Sequence, residues 1–204
     1  MEDALRAGAD DPGLHLIETL YWDGTRAPRE ALHRARLRRG ADALGWDCPH
    51  AQISGPAHPA RLRLTLSRDG RMQITHTPLP PSKPLWHVAL ARERLSSRDP
   101  WLRIKSSRRA QYDAARADLP TDIDEVIFLN ERDEVCDGTI TTVFFDRGAG
   151  MRTPPLSAGL LPGVLRAERA CPEETLLARD LPHVQLWVGN ALRGLIAAEF
   201  IARP

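Results

Sequence analysis

Alternation of apolar and polar residues marks the strands of this chain before anything else does. In residues 61–67, Leu62, Leu64 and Leu66 alternate with Arg61, Arg63 and Thr65, the period of a strand with one face in a core and the other in water. Gly70 breaks the run ahead of residues 72–77, so the pattern predicts a hairpin. Residues 14–21 behave differently. Leu14, Leu16 and Leu20 are interleaved with Ile17 and Tyr21, which predicts a strand covered on both faces. A turn at Trp22-Asp23-Gly24-Thr25 closes it, with a second short strand expected beyond.

Helical spacing takes over next. Leu32, Ala35, Leu37, Ala41 and Leu44 form an apolar stripe over residues 29–44, and Gly45 supplies a stop. On that helix His33, Arg36 and Leu37 stand at i, i+3 and i+4 and share a face. Residues 48–59 read as a loop with a short helical piece, and the proline-rich stretch 77–84 reads as a stiff connector. We therefore expect a smaller α/β lobe over 1–84 and a larger α/β lobe over 85–204. In the second lobe the pattern predicts strands at 86–91, 125–129, 134–146 with a break at Gly138, 186–189 and 195–201. It also predicts a helix over 108–117 capped by Ser106 or Ser107, and another over 164–169 opened by Pro162-Gly163. The fold class is α+β.

Charge narrows the functions. Lys+Arg total 28 against 27 Asp+Glu, so no broad cationic field suggests nucleic acid and no acidic block suggests a solvating tail. Cys48, Cys136 and Cys171 are odd in number and lack a CxxC pair, which argues against a disulfide framework or a zinc site. No stretch has the length and apolarity of a signal peptide or membrane span. The expected protein is cytoplasmic, without nucleic-acid, membrane or metal partners.

Arginine carries nearly all of the positive charge, because the only lysines are Lys83 and Lys105. Lys105 ends an extended-looking run just before a predicted helix and beside Arg103, Arg108 and Arg109, surroundings that disfavour the ammonium form of an amine. A solvated lysine beside a helix fits the same spacing. Arg36 offers a planar fork for phosphate, although it lies in a helix rich in arginine. Gly163 and Val164 present backbone N–H groups at a helix start, and Asn190-Ala191 sits in a tight turn after a strand. Asp137, between Cys136 and Gly138 in an apolar strand, needs a partner if buried; a bulge that exposes it is the alternative.

Taken in order, Leu16-Ile17-Glu18-Thr19-Leu20, His33-Arg34-Ala35-Arg36-Leu37, Ile104-Lys105 with Arg109, Asp137-Gly138-Thr139-Ile140-Thr141-Thr142-Val143-Phe144, Leu161-Pro162-Gly163-Val164-Leu165-Arg166 and Gly189-Asn190-Ala191-Leu192 resemble the successive motifs of the class IV aminotransferases. That family implies the two-lobed pyridoxal-phosphate fold type IV, like D-amino-acid aminotransferase, with the cofactor between the lobes. It implies that Lys105 forms the Schiff base and shuttles a proton. Arg36, Gly163 and Val164 correspond to its phosphate contacts, with Asn190 and Ala191 as a further phosphate-side turn. Asp137 stands where the family has a glutamate facing the pyridine nitrogen. The Ile-Lys-x-x-x-Arg and Asn-Ala-Leu features are most similar to aminodeoxychorismate lyase, which implies release of 4-aminobenzoate and pyruvate. Transamination of a branched-chain or D-amino acid is the alternative, and a degenerate non-catalytic relative is a third reading. The resemblance also implies a small amino-acid-like substrate and a homodimer. Departures are the short acid at Asp137, Thr142 in place of a frequent asparagine, Arg108 in place of another, and Tyr21 where many members have arginine.

Overall fold

The computed structural model describes Leu5 and residues 8–203. By contact the chain forms two units, one of Met1–Pro81 with Pro100–Arg108 and the other of Ser82–Asp99 with Arg109–Pro204. In the first unit β1 (His15–Trp22), β2 (Ala60–Ser67) and β3 (Met72–Thr77) make an antiparallel sheet in that order. The expected alternation holds in β2, where Leu62, Leu64 and Leu66 are buried and Arg61 and Arg63 exposed. β1 is buried on both faces, with Leu16, Ile17, Glu18 and Leu20 inside. Gly70 makes the hairpin turn at a φ of 78°, a left-handed value that glycine adopts without steric penalty.

No second strand follows β1. Asp23 Oδ1 instead accepts the N–H groups of Thr25 and Arg26 and the Thr25 hydroxyl, a side-chain turn that leads the chain toward α1 (Glu30–Leu44). α1 stops at Gly45 in the left-handed region and buries His33, Arg36, Leu37, Gly40, Ala41 and Leu44. Gly40 permits the close approach to β1, since a Cβ there would lie 3.3 Å from both Leu16 methyls. Residues 48–59 form a loop without the expected helical piece.

The stretch around Lys105 departs from expectation in two ways. Pro100–Arg103 is a 3₁₀ turn rather than an extended run. The chain after it then pairs with β1: Ser106 bridges Leu16, the Ile17 N–H donates to the Lys105 carbonyl at 2.8 Å, and the Ser107 N–H donates to the His15 carbonyl at 2.8 Å. This pairing draws Lys105 into the first unit, whereas the division at 84 and 85 assigns it to the second lobe. It also uses one of the two serines expected to cap a helix, because Ser107 Oγ accepts the His15 N–H and donates to the Gly13 carbonyl, while Ser106 Oγ accepts the Arg108 N–H at 3.3 Å, ahead of the helix. The helix α2 accordingly begins later, at Ala110–Ala117, with no side-chain cap.

The second unit is a closed six-stranded barrel of β4 (Leu85–Leu95), β5 (Glu125–Asn130), β6 (Val135–Gly138), β7 (Thr142–Asp146), β8 (Gln185–Asn190) and β9 (Gly194–Phe200). β4 runs parallel to both β5 and β9, and the remaining pairs are antiparallel. Every residue of β5 is buried. Val88, Ile127, Val135, Val143, Phe145, Val188 and Ile196 fill the core. The predicted helix over 164–169 forms as α3 (Val164–Arg169) behind Gly163. Helices and strands mix in both units, as the α+β expectation requires.

Candidate active site

In the first unit Glu18 of β1 faces His33 and Arg36 of α1. Glu18 is 1% exposed and Arg36 8%, so the carboxylate must find all its partners within the fold. It accepts His33 Nδ1 at 2.6 Å, Arg36 Nε at 2.8 Å and Arg36 Nη2 at 2.5 Å. Burial pushes the Glu18 carboxyl up, but the Arg36 guanidinium, helped by hydrogen bonds from Arg36 and His33, holds it net below its ordinary value. Sequence spacing presents Arg36 as a two-pronged phosphate fork. Here the Nε–Nη2 edge is committed to Glu18, which leaves the outer Nη1–Nη2 edge as the donors an anion could use. His33 Nε2 is buried with no hydrogen-bond partner. Lys105 is half-buried, its backbone fixed by the pairing with β1.

In the second unit Asp137, near the end of β6, lies where the β5–β6 register shifts between Ile127↔Gly138 and Leu129↔Val135, yet it is 5% exposed, so the bulge there keeps the carboxylate inside. Its Oδ1 accepts the Tyr112 hydroxyl at 3.2 Å and its Oδ2 accepts the Leu161 N–H at 3.1 Å. Burial first, and the Asp137 charge second, push the Tyr112 hydroxyl far above its usual range, so it remains a donor. Asp137 thus has the partners that its place in an apolar strand demands. One residue after Leu161-Pro162 comes Gly163, the uncapped entry to α3, whose first N–H groups have no acceptor within the helix. A Cβ at Gly163 would stand 2.5 Å from Thr142 Oγ1, so the threonine in the usual asparagine position closes on the glycine. Asn190 Oδ1 accepts the N–H groups of Leu192 and Arg193, and its Nδ2 donates to the Ile140 carbonyl.

Residues that spacing did not single out support these positions. Arg166, one turn into α3, donates to Thr153 Oγ1 and the Pro154 carbonyl at 2.7 Å each and pairs with Glu173. Glu125, the first residue of β5, gathers donors from residues 139–141. Glu18 and Glu125 are both acids in apolar strands, the same signal that drew attention to Asp137. Among the described residues no cluster of three or more His, Cys, Asp or Glu side chains suits a metal ion, and no helix is long and apolar enough to cross a membrane.

The profile of the family described as amino-transferase class IV matches residues 15–199, and the chain belongs to that family. A candidate amino-acid aminotransferase from Mesorhizobium loti is 42% identical, with a TM-score of 0.87 over 92% of this chain and 100% of that one. A candidate 4-amino-4-deoxychorismate lyase from Legionella pneumophila shares the fold at 17% identity and a TM-score of 0.79, over 91% of this chain and 82% of that one. A hypothetical aminotransferase from Mycobacterium tuberculosis, in its pyridoxal-phosphate-bound form, shares it at 21% and 0.75, over 91% and 80%. None of the curated proteins searched matches. The chain is a pyridoxal-phosphate-dependent enzyme of class IV, with the type IV fold. Taken unit by unit, the groups present fit such a cofactor: in the first, Arg36 keeps an outer guanidinium edge beyond its bonds to Glu18, and in the second, a buried carboxylate with two fixed donors suits a protonated ring nitrogen.

Proposed function

We propose that the enzyme transaminates a small amino acid, with Lys105 as the catalytic amine. Arg36, Gly163, Val164, Asn190 and Ala191 bind the cofactor phosphate, and Asp137 holds the proton on the ring nitrogen. When bound, the cofactor supplies the electron sink that makes the substrate α-proton removable. Lys105 Nζ takes that proton and returns it, one amine serving as base and then as acid. Tyr112 and the Leu161 N–H fix the Asp137 carboxylate from both sides, which supports a single orientation despite the missing methylene.

The observation that carries transamination over elimination is the relative at 42% identity, which is named for amino-acid aminotransferase activity. The two features resembling aminodeoxychorismate lyase have other work in this chain. Arg109 donates to Asp113 at 2.6 Å and to the Thr139 carbonyl at 3.1 Å, and Asn190 builds its own turn. Both residues are therefore explained by the fold. The purified enzyme, loaded with pyridoxal phosphate, should form 2-oxo acids from amino acids with 2-oxoglutarate as acceptor. Stoichiometric 4-aminobenzoate and pyruvate from 4-amino-4-deoxychorismate, without such transfer, would replace this reading by the lyase. The same proposal takes the protein as a cytoplasmic homodimer, to be read by light scattering and cell fractionation.

A further inference from the structure

We propose that Glu125 is a positioning residue, the clamp that sets the 139–142 loop and, through it, the cofactor contacts of the barrel. The inference rests on the cofactor reading above. The β6–β7 ladder is thin: Asp137↔Thr142 is its single registered pair, backed by the Gly138 N–H donating to the Thr141 carbonyl at 2.8 Å. So short a ladder leaves the loop underdetermined by sheet pairing.

Glu125 is fully buried and supplies the missing constraint. Its Oε1 accepts the N–H groups of Val126 and Thr139 at 3.1 Å each and the Thr139 hydroxyl at 2.5 Å. Its Oε2 accepts the Ile140 N–H at 3.2 Å and the Thr141 hydroxyl at 2.9 Å. Arg116 Nη1 stands 3.5 Å from Oε1 and donates to the Thr139 hydroxyl oxygen at 3.2 Å, and Arg109 holds the Thr139 carbonyl from the other side. Gly138 makes room for the carboxylate, since a Cβ there would meet Glu125 Cδ at 2.8 Å.

From the clamped loop, contacts run outward to three of the candidate residues in the barrel, Asn190, Gly163 and Asp137. The Ile140 carbonyl accepts Asn190 Nδ2 at 3.1 Å, Thr142 Oγ1 lies against Gly163 at the α3 entry, and Asp137 lies opposite Thr142 in the ladder. The chemistry requires a carboxylate. Each oxygen takes a backbone N–H from the loop, and a backbone donor cannot rotate away as a hydroxyl can. A glutamine in either orientation therefore sets its NH₂ against an N–H, so the nearly isosteric amide should fail almost as an alanine does.

The test compares Glu125→Gln and Glu125→Ala with Asn130→Ala, a buried polar truncation elsewhere in the barrel, and with the milder Thr141→Val. Amide exchange of the apoprotein is followed in peptides covering 138–142, and pyridoxal phosphate is titrated by absorbance. Both Glu125 variants should speed exchange in those peptides and weaken cofactor binding by about tenfold or more. Thr141→Val should move both readouts in the same direction by less, and Asn130→Ala should leave both unchanged at whatever melting temperature it has. The clamp is refuted if Glu125→Gln exchanges like wild type in 138–142, or binds the cofactor within about twofold of it. Should Glu125→Gln not fold, Thr141→Val decides by the same two readouts. Failure of wild type to bind pyridoxal phosphate would instead sink the cofactor reading, while the exchange data would still judge the clamp.

Discussion

Replacing Glu18 by alanine should be the most destructive single truncation in the first unit. The pair it breaks is enclosed, at 1% and 8% exposure, and the carboxylate accepts two hydrogen bonds from Arg36 and one from His33. Summing charge-assisted bonds at about 1.5–3 kcal/mol each overstates the loss, because bonds that share one carboxylate are not independent. The better measure is the cost of leaving one charge buried without its partner, about 3–5 kcal/mol. For a chain of this size that lowers the melting temperature by roughly 6–20 °C, at about 2–4 °C per kcal/mol. Thermal and urea unfolding of the apoprotein by circular dichroism reads it directly. A Glu18→Leu, Arg36→Met double variant should recover most of the loss, since it removes both charges and keeps the volume. If Glu18→Ala unfolds within about 1 kcal/mol of wild type, the range of a solvent-exposed ion pair, the enclosed pair is refuted.

The same pair predicts a pH dependence. The folded Glu18 carboxyl titrates below its ordinary 4.5, so on acidification the unfolded chain takes up the proton first. The stability is present above about pH 4.5 and is lost as pH falls through the folded value, and Glu18→Gln should flatten that limb of the unfolding profile. Gly163→Ala places a Cβ 2.5 Å from Thr142 Oγ1 and should weaken cofactor binding in titration, with Thr142→Ala restoring it in the double variant. Tyr112→Phe keeps the edge contact with Phe128, at 5.0 Å between centroids, but removes the donor to Asp137. It should change stability by no more than about 1–2 kcal/mol while shifting the absorbance of bound cofactor.

Periodicity made the local elements legible. The β2–β3 alternation, the α1 stripe with its glycine stop and the break at Gly138 all follow from short-range pattern, and the folded chain keeps them. Candidate residues of the site were legible for a similar reason, as motifs in a fixed order. What the pattern lacked were partners far apart in sequence. Glu18 reaches Arg36 because β1 and α1 pack together, and Glu125 reaches residues 139–141 only once the barrel closes. The stretch 104–107 looked like the lead into a helix, but its hydrogen bonds go to β1, some ninety residues earlier. Tertiary pairing overrode the local capping signal there, which delayed α2 to Ala110.

If Lys105 carries the cofactor, the chain offers only one other lysine to compete with it, Lys83, which is exposed and paired with Asp124 at 2.6 Å. Borohydride reduction of the pyridoxal-phosphate-loaded protein followed by peptide mass analysis therefore offers a two-way choice. One phosphopyridoxyl group is expected on Lys105, with none in Lys105→Ala and loss of amino transfer in that variant. Labelling of Lys83 with Lys105 unmodified, or full activity in Lys105→Ala, would contradict that role for Lys105.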